Sequence, residues 1–438
     1  MSINILLVGS GAREHAIVRA CSRSKLDHKV FCIGSGINPG IAERCADFNV
    51  ADFNDKDIVT NYAKKNDVHL AIIGPENPLQ SGIADALWEN EIKVFGPTKS
   101  LARIETSKGF ARTMLRKYDI PGGPNFKRFS SLDGVKEFCS ELQNEFVIKF
   151  DGLAGGKGVK VFGEHLDTIS DALSYCKTIT DKGGEFLIEQ KFYGEEFSLM
   201  SFCDGINIQH MPVVQDHKRA YENDTGPNTG GMGTYSDLNH SLPFLDSTDL
   251  DTAKKINEMT MLALKEETGM DYMGVLYGGF MAVKDGVRLI EYNARFGDPE
   301  AMNVLSILNS DFIEICKAIT EKRLCDIDIL FDAKATVCKY AVPEGYPDTP
   351  VKGHEVDISQ VKNQDSLYFA SVDIKDGKLI ESGSRTLAAV SVADTIGLAE
   401  QSCEETISKI NGPLFHRKDI GTQPLITKRI ENMKKIRC

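Results

Sequence analysis

The sequence predicts a multidomain protein of the α/β and α+β classes, with an N-terminal parallel-sheet domain. A chain of 438 residues is longer than one ordinary hydrophobic core allows. Short apolar runs alternate with helix-length segments near the N-terminus. Breaks rich in proline and glycine separate the segments that follow. We expect domains at residues 1–104, 105–328 and 329–438, with a lid subdomain at about 123–194 and a small α+β fold for the last domain.

Composition limits the class of partner. With 42% hydrophobic and 26% charged residues the chain has the composition of an ordinary globular protein, and its net charge of −12 disfavours nucleic-acid binding. No apolar run approaches the ~20 residues of a membrane span, and residues 1–8 lack a signal-peptide pattern. Eleven cysteines without a C-x-x-C pair disfavour disulfides and structural zinc. We expect a cytoplasmic protein with no membrane and no obligate protein partner.

The first hundred residues contain the strand signals of a parallel sheet. In such sheets the loops at the carboxyl ends of the strands hold the ligands. A helix is predicted from about Ala16, and another from about Ser100 to Tyr118, ended by prolines and glycines at 120–124. The predicted strands are Ile3 to Val8, Val30 to Ile33, Leu70 to Ile73 and Val94 to Phe95.

Two loops after these strands carry candidate ligands. Gly9-Ser10-Gly11 is only part of a dinucleotide fingerprint, because Glu14 stands where the third glycine belongs. The glycines and the helix N-terminus favour a phosphate monoester instead, with Gly11, Arg13 and Glu14 as substrate-binding candidates. Glu76, in the next such loop, is a candidate for sugar hydroxyls. The alternative for Glu76 is an ordinary turn carboxylate.

A glycine-rich loop at 151–158 lies between strands predicted at 145–150 and 159–162. It is not a Walker A loop, because only three residues separate Gly152 from Gly156 and a glycine follows Lys157. The pattern predicts a hairpin flap whose amides close over phosphates, with Lys149 and Lys157 beside them. The alternative, a merely flexible hairpin, leaves the two lysines unexplained.

A second hairpin contains a candidate metal site. Lys284-Asp285-Gly286 is a turn signal, and Val287 to Asn293 reads as a strand. Strict alternation places Glu291 and Asn293 on one face and the residues between and before them on the other. Two hard oxygen ligands suit Mg²⁺, with Mn²⁺ as an alternative. The competing interpretation is a solvated strand face that ends in a polar loop.

These stretches, taken in chain order, resemble the ATP-grasp superfamily: a lysine before a glycine flap, a glutamate-rich segment at 185–198 and a Glu-x-Asn strand. Longer motifs resemble, more specifically, the phosphoribosylamine-glycine ligase family. Those motifs are Gly11-Ala12-Arg13-Glu14-His15, Gly74-Pro75-Glu76, Gln215 to Arg219, Asp224 to Gly233, Arg295 to Glu300 and Arg417 to Gly421.

The resemblance implies an ADP-forming carbon-nitrogen ligase of purine biosynthesis, with an ATP-grasp domain and its glycine-flap lid in the centre. In the reaction that the resemblance implies, ATP would phosphorylate the carboxylate of glycine, and the amine of 5-phosphoribosylamine would attack the resulting glycyl phosphate. Glu189 and Phe192 resemble the adenine hinge, and Glu196 resembles the ribose ligand. The implied ATP-binding residues are Lys108, Lys149, Gly155, Gly156, Lys157, Gly158, Glu189, Phe192 and Glu196.

The resemblance also implies substrate contacts. Asp216 is the candidate for the amino group of glycine, and Arg295 for its carboxylate or acyl phosphate, since a planar donor fork suits planar oxygens. Arg295 and Lys157 are the catalytic candidates. Arg13 and Glu76 are expected at the sugar phosphate and ribose of phosphoribosylamine. The remaining substrate-binding candidates are Gly11, Glu14, Lys218, Gly230 and Gly231.

Three other functions remain as alternatives. Another ATP-grasp carboxylate-amine ligase or carboxylase of purine metabolism would share the flap, hinge and metal strand. A nucleotide-sensing module would lack catalysis, although the candidate ligands at Lys149, Lys157, Glu291 and Asn293 disfavour it. A dehydrogenase is disfavoured by the incomplete dinucleotide fingerprint.

Two roles are open for the loop at 416–421: contact with the phosphoribosylamine site, or a purely structural role.

Overall fold

The structure, a computed structural model, describes residues 2–155 and 158–438. Its N-terminal sheet has five parallel strands in the order β3-β2-β1-β4-β5, so the predicted parallel sheet is confirmed. The edge strand β3 was not predicted, because it is short and half exposed and therefore has no apolar run in the sequence. The strands are β1 (Ile3–Val8), β2 (His28–Gly34), β3 (Asp47–Val50), β4 (Leu70–Ile73) and β5 (Lys93–Phe95).

The helix predicted over residues 100–118 is two helices. Ser107 has extended backbone angles, and its side chain accepts a hydrogen bond from the amide of Phe110. This N-cap ends one helix and starts the next, so Lys108 stands in the first turn. The helices to this point are α1 (Ala12–Ser22), α2 (Pro39–Ala42), α3 (Lys56–Lys65), α4 (Glu76–Ser81), α5 (Ile83–Glu89), α6 (Lys99–Thr106) and α7 (Lys108–Lys117).

The lid is a four-stranded antiparallel sheet in the order β6-β9-β7-β8, with two helices on it. It has its own hydrophobic core, which includes Phe146, Ile148 and Phe186. This core is separate from the two larger hydrophobic clusters of the rest of the chain. Its elements are β6 (Phe126–Phe129), α8 (Val135–Glu141), β7 (Phe146–Phe150), β8 (Val159–Val161), α9 (Ile169–Thr180) and β9 (Phe186–Gln190).

A second antiparallel sheet, in the order β11-β10-β16-β17, forms the floor below the lid. The long helix α10 packs beneath it. The elements of this region are β10 (Glu195–Asp204), β11 (Ile208–His210), β12 (Gln215–Asp216), β13 (Arg219–Tyr221), β14 (Thr225–Asn228), β15 (Gly233–Ser236), α10 (Ser247–Thr268), β16 (Met273–Val283), β17 (Gly286–Asn293), α11 (Glu300–Ser306) and α12 (Phe312–Thr320).

The C-terminal sheet crosses the domain boundary expected at residue 329. Its strand order is β12-β15-β18-β23-β20, so β12 and β15 from the central region pair with it. This pairing ties the loop between β12 and β15 to the C-terminal region. The elements here are β18 (Ala335–Pro343), β19 (Glu355–Val356), β20 (Leu367–Phe369), β21 (Val372–Lys375), β22 (Lys378–Glu381), β23 (Leu387–Ala393), α13 (Ile396–Ile407), β24 (Leu414–Phe415) and α14 (Gln423–Arg437). In the described part of the chain, no helix has the length and apolar character needed to cross a bilayer.

Candidate active site

A cleft of about 960 Å³ lies between the lid, the floor sheet and loops of the N- and C-terminal regions. It brings together residues that are far apart in the sequence. Gly156 and Lys157, two of the predicted ATP ligands, lie outside the described residues. The predicted residues that line the cleft are Arg13, Glu76, Lys108, Lys149, Gly155, Gly158, Glu189, Phe192, Glu196, Asp216, Lys218, Gly230, Glu291, Asn293 and Arg295.

Lys149 and Glu189 form a buried ion pair under the lid, with 2.8 Å between Nζ and Oε2. Arg112, which the sequence analysis missed, donates to both oxygens of Glu189, from Nε at 2.7 Å and from an Nη at 3.0 Å. Burial alone would raise the pKa of Glu189, but the charges of Arg112 and Lys149 lower that pKa to about 2. Glu189 is therefore ionised at neutral pH and holds the Lys149 ammonium at the cleft wall.

Lys108 is joined to the start of the flap. Its Nζ donates to the carbonyl of Gly152 at 3.1 Å, and the neighbouring amide of Gly109 donates to Asp151 Oδ1 at 3.1 Å. The Ser107 cap places both groups at the N-terminus of α7, where backbone amides favour negative charge. The first turn of α7 thus lies beside the flap and within reach of an anionic ligand.

Strand β17, which carries the candidate metal ligands Glu291 and Asn293, contains a β-bulge that the sequence did not reveal. Gly279 of β16 faces Glu291, but the next residue, Phe280, faces Leu289, so Ile290 is unopposed. The extra residue reverses the alternation, and Tyr292 is buried on the same side as Leu289. Glu291 and Asn293 share the cleft face, as predicted, but Ile290 does not simply alternate with them.

Glu291 and Asn293 supply hard oxygen atoms of the type that binds Mg²⁺ or Mn²⁺. Burial would raise the pKa of Glu291, but Lys218 and Lys149 lower it, so the carboxylate is charged. Within the described residues, no group of three His, Cys, Asp or Glu side chains is arranged to hold a metal ion. Two protein oxygens fit a divalent cation that takes its remaining ligands from phosphates and water rather than from an all-protein cage.

Lys218 lies between two carboxylates of the cleft. Its Nζ is 3.1 Å from Glu196 Oε2 and 3.8 Å from Glu291 Oε1. The charge of Glu196 raises the pKa of Lys218 above its usual range, so the ammonium stays protonated. Lys218 therefore connects Glu196, the residue predicted at the ribose, with Glu291 of β17.

Arg295 is held by two carboxylates from the N-terminal half. Its Nε is 3.3 Å from Glu76 Oε2, and an Nη is 2.9 Å from Glu105 Oε1. Burial would raise the pKa of Glu76, but Arg295 and Arg13 lower it to about 2. Glu105 was not predicted, because nothing in its helical sequence separates it from a surface glutamate. Glu76 contacts the catalytic candidate Arg295, a neighbour that was not predicted for it.

The N-terminus of α1 already holds an internal carboxylate. The Gly11 amide donates to Glu14 Oε2 at 2.6 Å, and Arg13 Nε donates to Glu14 Oε1 at 2.6 Å. A side chain on Gly74 would overlap Glu14, so glycine is needed there. Neither Gly11 nor Glu14 lines the cleft. Glu14 thus takes the place that the sequence analysis gave to a phosphate, and Arg13 reaches the cleft edge by itself.

The glycine loop between β14 and β15 is fixed by Arg385 of the C-terminal region, which the sequence analysis missed. One Nη of Arg385 donates to the carbonyls of Gly230 at 2.6 Å and Gly231 at 3.1 Å, and the other is 3.1 Å from Asp298 Oδ2. Gly231 itself does not line the cleft. Burial, and then the charge of Glu300, raise the pKa of the nearby Asp216 carboxyl. The loop, Asp216 and Arg385 all contribute to the lining of the cleft.

Three family models match successive parts of the chain. The N domain of phosphoribosylglycinamide synthetase matches residues 3–105, its ATP-grasp (A) domain residues 106–301, and its C domain residues 336–423. The phosphoribosylamine-glycine ligase of Methanosarcina barkeri is 46% identical over 435 residues, covering 99% of this chain and 100% of that protein. The ligase of that name from Methanocaldococcus jannaschii is 47% identical over 445 residues, with coverages of 99% and 100%.

Solved structures agree with this assignment. The crystal structure of phosphoribosylamine-glycine ligase from Thermotoga maritima superposes with a TM-score of 0.80 at 27% identity, covering 95% of this chain and 100% of that one. A biotin carboxylase domain from Hydrogenobacter thermophilus, at 13% identity and a TM-score of 0.69, shares the fold and covers 99% and 94% of the two chains. The chain belongs to the phosphoribosylglycinamide synthetase family.

Proposed function

We propose that this protein joins glycine to the amine of 5-phosphoribosylamine, with glycyl phosphate as the intermediate and glycinamide ribonucleotide, ADP and phosphate as products. The observation that carries the proposal is that one cleft holds the nucleotide candidates under the lid, the Glu291 and Asn293 pair and Arg295. Catalysis in such a site is positioning and charge neutralisation, since the protein forms no covalent bond to substrate.

The nucleotide end of the cleft is proposed to hold ATP between the lid and the floor. Lys149 and Lys108 neutralise phosphate charge, and the backbone amides of the flap glycines Gly155 and Gly158 donate hydrogen bonds to phosphate oxygens. Phe192 lies at the hinge after β9, beside the adenine, and Glu196 at the ribose. Glu189 acts through its ion pair with Lys149, because both its oxygens are already bonded.

Glu291 and Asn293 are the residues that would hold Mg²⁺, with Mn²⁺ as the substitute. When bound, the cation neutralises the charge that accumulates on the phosphate oxygens during transfer. Lys218 lies between Glu196 and Glu291, so it adds a fixed positive charge on the same side. These groups prepare the cleft for three anionic or zwitterionic ligands at once.

The glycine end is proposed at Asp216, the loop of Gly230 and Gly231, and Arg295. The Asp216 carboxylate binds the amino group, and the Arg295 guanidinium stabilises the carboxylate oxygens as they become the acyl phosphate. Glu76 and Glu105 hold that guanidinium in place. Arg13, at the neighbouring cleft edge, faces the phosphoribosylamine.

All eleven cysteines are free thiols, which supports action in a reducing compartment such as the cytoplasm.

Omission assays test the proposed reaction. The purified protein is supplied with ATP, glycine, Mg²⁺ and phosphoribosylamine generated in situ, and ADP release is followed as each is left out. We expect ADP release to require both glycine and phosphoribosylamine. Turnover that needs bicarbonate and is indifferent to glycine would favour a carboxylase of the same superfamily instead.

A further inference from the structure

Four groups form a closed hydrogen-bonded network at the junction of the lid and the floor sheet. Arg112 of α7 donates to both oxygens of Glu189 on β9, and Lys149 of β7 donates to Glu189 Oε2. The same two cations meet again at the backbone carbonyl of Ile290 on β17, from Arg112 at 2.6 Å and from Lys149 at 2.9 Å. The side chains of Arg112, Lys149 and Glu189 are all buried.

The Ile290 carbonyl belongs to the bulge of the metal strand. Ile290 is the residue that β16 leaves unopposed, and its carbonyl accepts hydrogen bonds from both cations. The bulge also sets which side chains reach the cleft. Leu289 and Tyr292 are buried, and the Tyr292 hydroxyl lies 2.8 Å from Thr260 of α10, whereas Glu291 is only half-buried at the cleft.

Arg112 is the member of this network that has enough hydrogen-bond donors to contact two other elements at once. A guanidinium presents a rigid fork, so it binds both oxygens of Glu189 and still reaches a carbonyl on a third element. Lys149 has three donors, of which two are used by Glu189 and Ile290. One donor of Lys149 therefore remains for a ligand in the cleft, provided that Arg112 keeps Glu189 and the bulge in place.

We propose that Arg112 is a positioning residue that couples the nucleotide site to the metal site. On the nucleotide side, Arg112 acts through Glu189 and Lys149. On the metal side, it acts through the Ile290 carbonyl, which holds the bulge that directs Glu291 and Asn293 towards the cleft. This inference rests on the proposed function, in which Lys149 contacts ATP and the Glu291 and Asn293 pair holds the metal. The nucleotide and the metal should then lose affinity together when Arg112 is changed.

The test compares R112M with R116M. Arg116 lies one turn further along α7, where it stacks at 4.0 Å over Phe126 and donates to the Phe126 carbonyl, so R116M removes an arginine from the same helix outside the network. ATP binding is measured by calorimetry at a series of Mg²⁺ concentrations, without glycine or phosphoribosylamine. We expect R112M to bind ATP at least about tenfold more weakly than the wild type. We also expect Mg²⁺ to increase the ATP affinity of R112M much less than it increases that of the wild type. R116M should match the wild type in both.

The variant R112K guards against misfolding, because it keeps the buried positive charge. A single ammonium cannot reproduce the guanidinium fork, so we expect R112K to melt near the wild type and still show weakened, less metal-dependent ATP binding. Wild-type binding by folded R112M or R112K would overturn the proposal. So would equal losses in R112M and R116M, or weaker ATP binding with an unchanged Mg²⁺ dependence.

The binding assay separates this inference from the proposed reaction. If the wild type binds ATP with Mg²⁺ but releases no ADP in response to glycine, the proposed function is contradicted. Weakened and less metal-dependent ATP binding by R112M would still support the role of Arg112 in that case. A glycine-dependent wild type whose R112M variant binds ATP normally would contradict the role of Arg112 alone.

Discussion

Arg295 and Glu105 form a buried ion pair at 2.9 Å, and the second oxygen of Glu105 accepts the backbone amide of Ala294 at 2.7 Å. One carboxylate of α6 thus holds both the catalytic candidate and the backbone that follows Asn293. The carboxylate therefore links the helix, the guanidinium and the backbone after the strand, although Glu105 is almost 200 residues before Arg295 in the chain.

Replacing Glu105 by glutamine should impair catalysis more than nucleotide binding. Glutamine has one carbonyl oxygen and therefore loses either the Arg295 contact or the Ala294 contact. We expect kcat to fall about tenfold or more, with the KM for ATP nearly unchanged. Steady-state kinetics check this, with Glu89→Gln on the exposed face of α5 as the control. A wild-type kcat for Glu105→Gln would contradict the positioning of Arg295.

Glu189 should stabilise the fold in a pH-dependent way. Its pKa of about 2 in the folded protein lies below the usual 4.5, so its contribution is complete above about pH 4.5 and is lost as the pH falls towards 2. At pH 7 we expect Glu189→Gln to be destabilised by roughly 3 kcal/mol, because two buried cations lose their partner. Urea unfolding from pH 7 to pH 3 measures this difference. A difference that grows on acidification would have the wrong sign.

Glu291→Ala should abolish turnover and weaken ATP binding in the presence of Mg²⁺. The reason is that alanine leaves Asn293 as the one remaining member of the proposed donor pair. Asp285→Ala, in the exposed turn before the same strand, is the matched control and should behave as the wild type. Near-normal activity of Glu291→Ala at low Mg²⁺ concentration would refute the metal assignment.

Arg13→Ala should mainly raise the KM for phosphoribosylamine. Arg13 reaches the cleft edge, but it also donates to Glu14 and to the carbonyl of Phe296, so thermal melting must accompany the kinetics. Arg23→Ala is the control, because Arg23 donates to Leu305 from the other end of α1. If the ATP parameters alone change, Arg13 does not contact the phosphoribosylamine.

Local patterns in the sequence predicted the two hairpins that border the cleft. The flap between β7 and β8 and the turn before β17 depend on neighbouring residues, and the structure has both hairpins. The bulge at Ile290 could not be predicted, because it depends on the register of β17 against β16. Simple alternation still placed Glu291 and Asn293 on one common face, because both residues come after the bulge.

The three residues that the sequence analysis missed share a physical cause. Arg112 and Glu105 stand in helices and Arg385 in a short loop after Gly383, none has a ligand spacing of its own, and all three contact the site from other parts of the chain. Their hydrogen-bond partners lie from 77 to 189 residues away along the chain. The occupation of the α1 N-terminus by Glu14 was missed for a related reason, since either an internal or an external anion satisfies a helix N-terminus.

The most direct test of the central claim follows the oxygen atoms of glycine. If glycine is activated as glycyl phosphate, a carboxylate oxygen becomes the bridging atom and leaves with the phosphate when the amine attacks. With glycine labelled by ¹⁸O in its carboxylate, we predict that one labelled oxygen per turnover appears in inorganic phosphate. Unlabelled phosphate released together with glycinamide ribonucleotide would contradict the account.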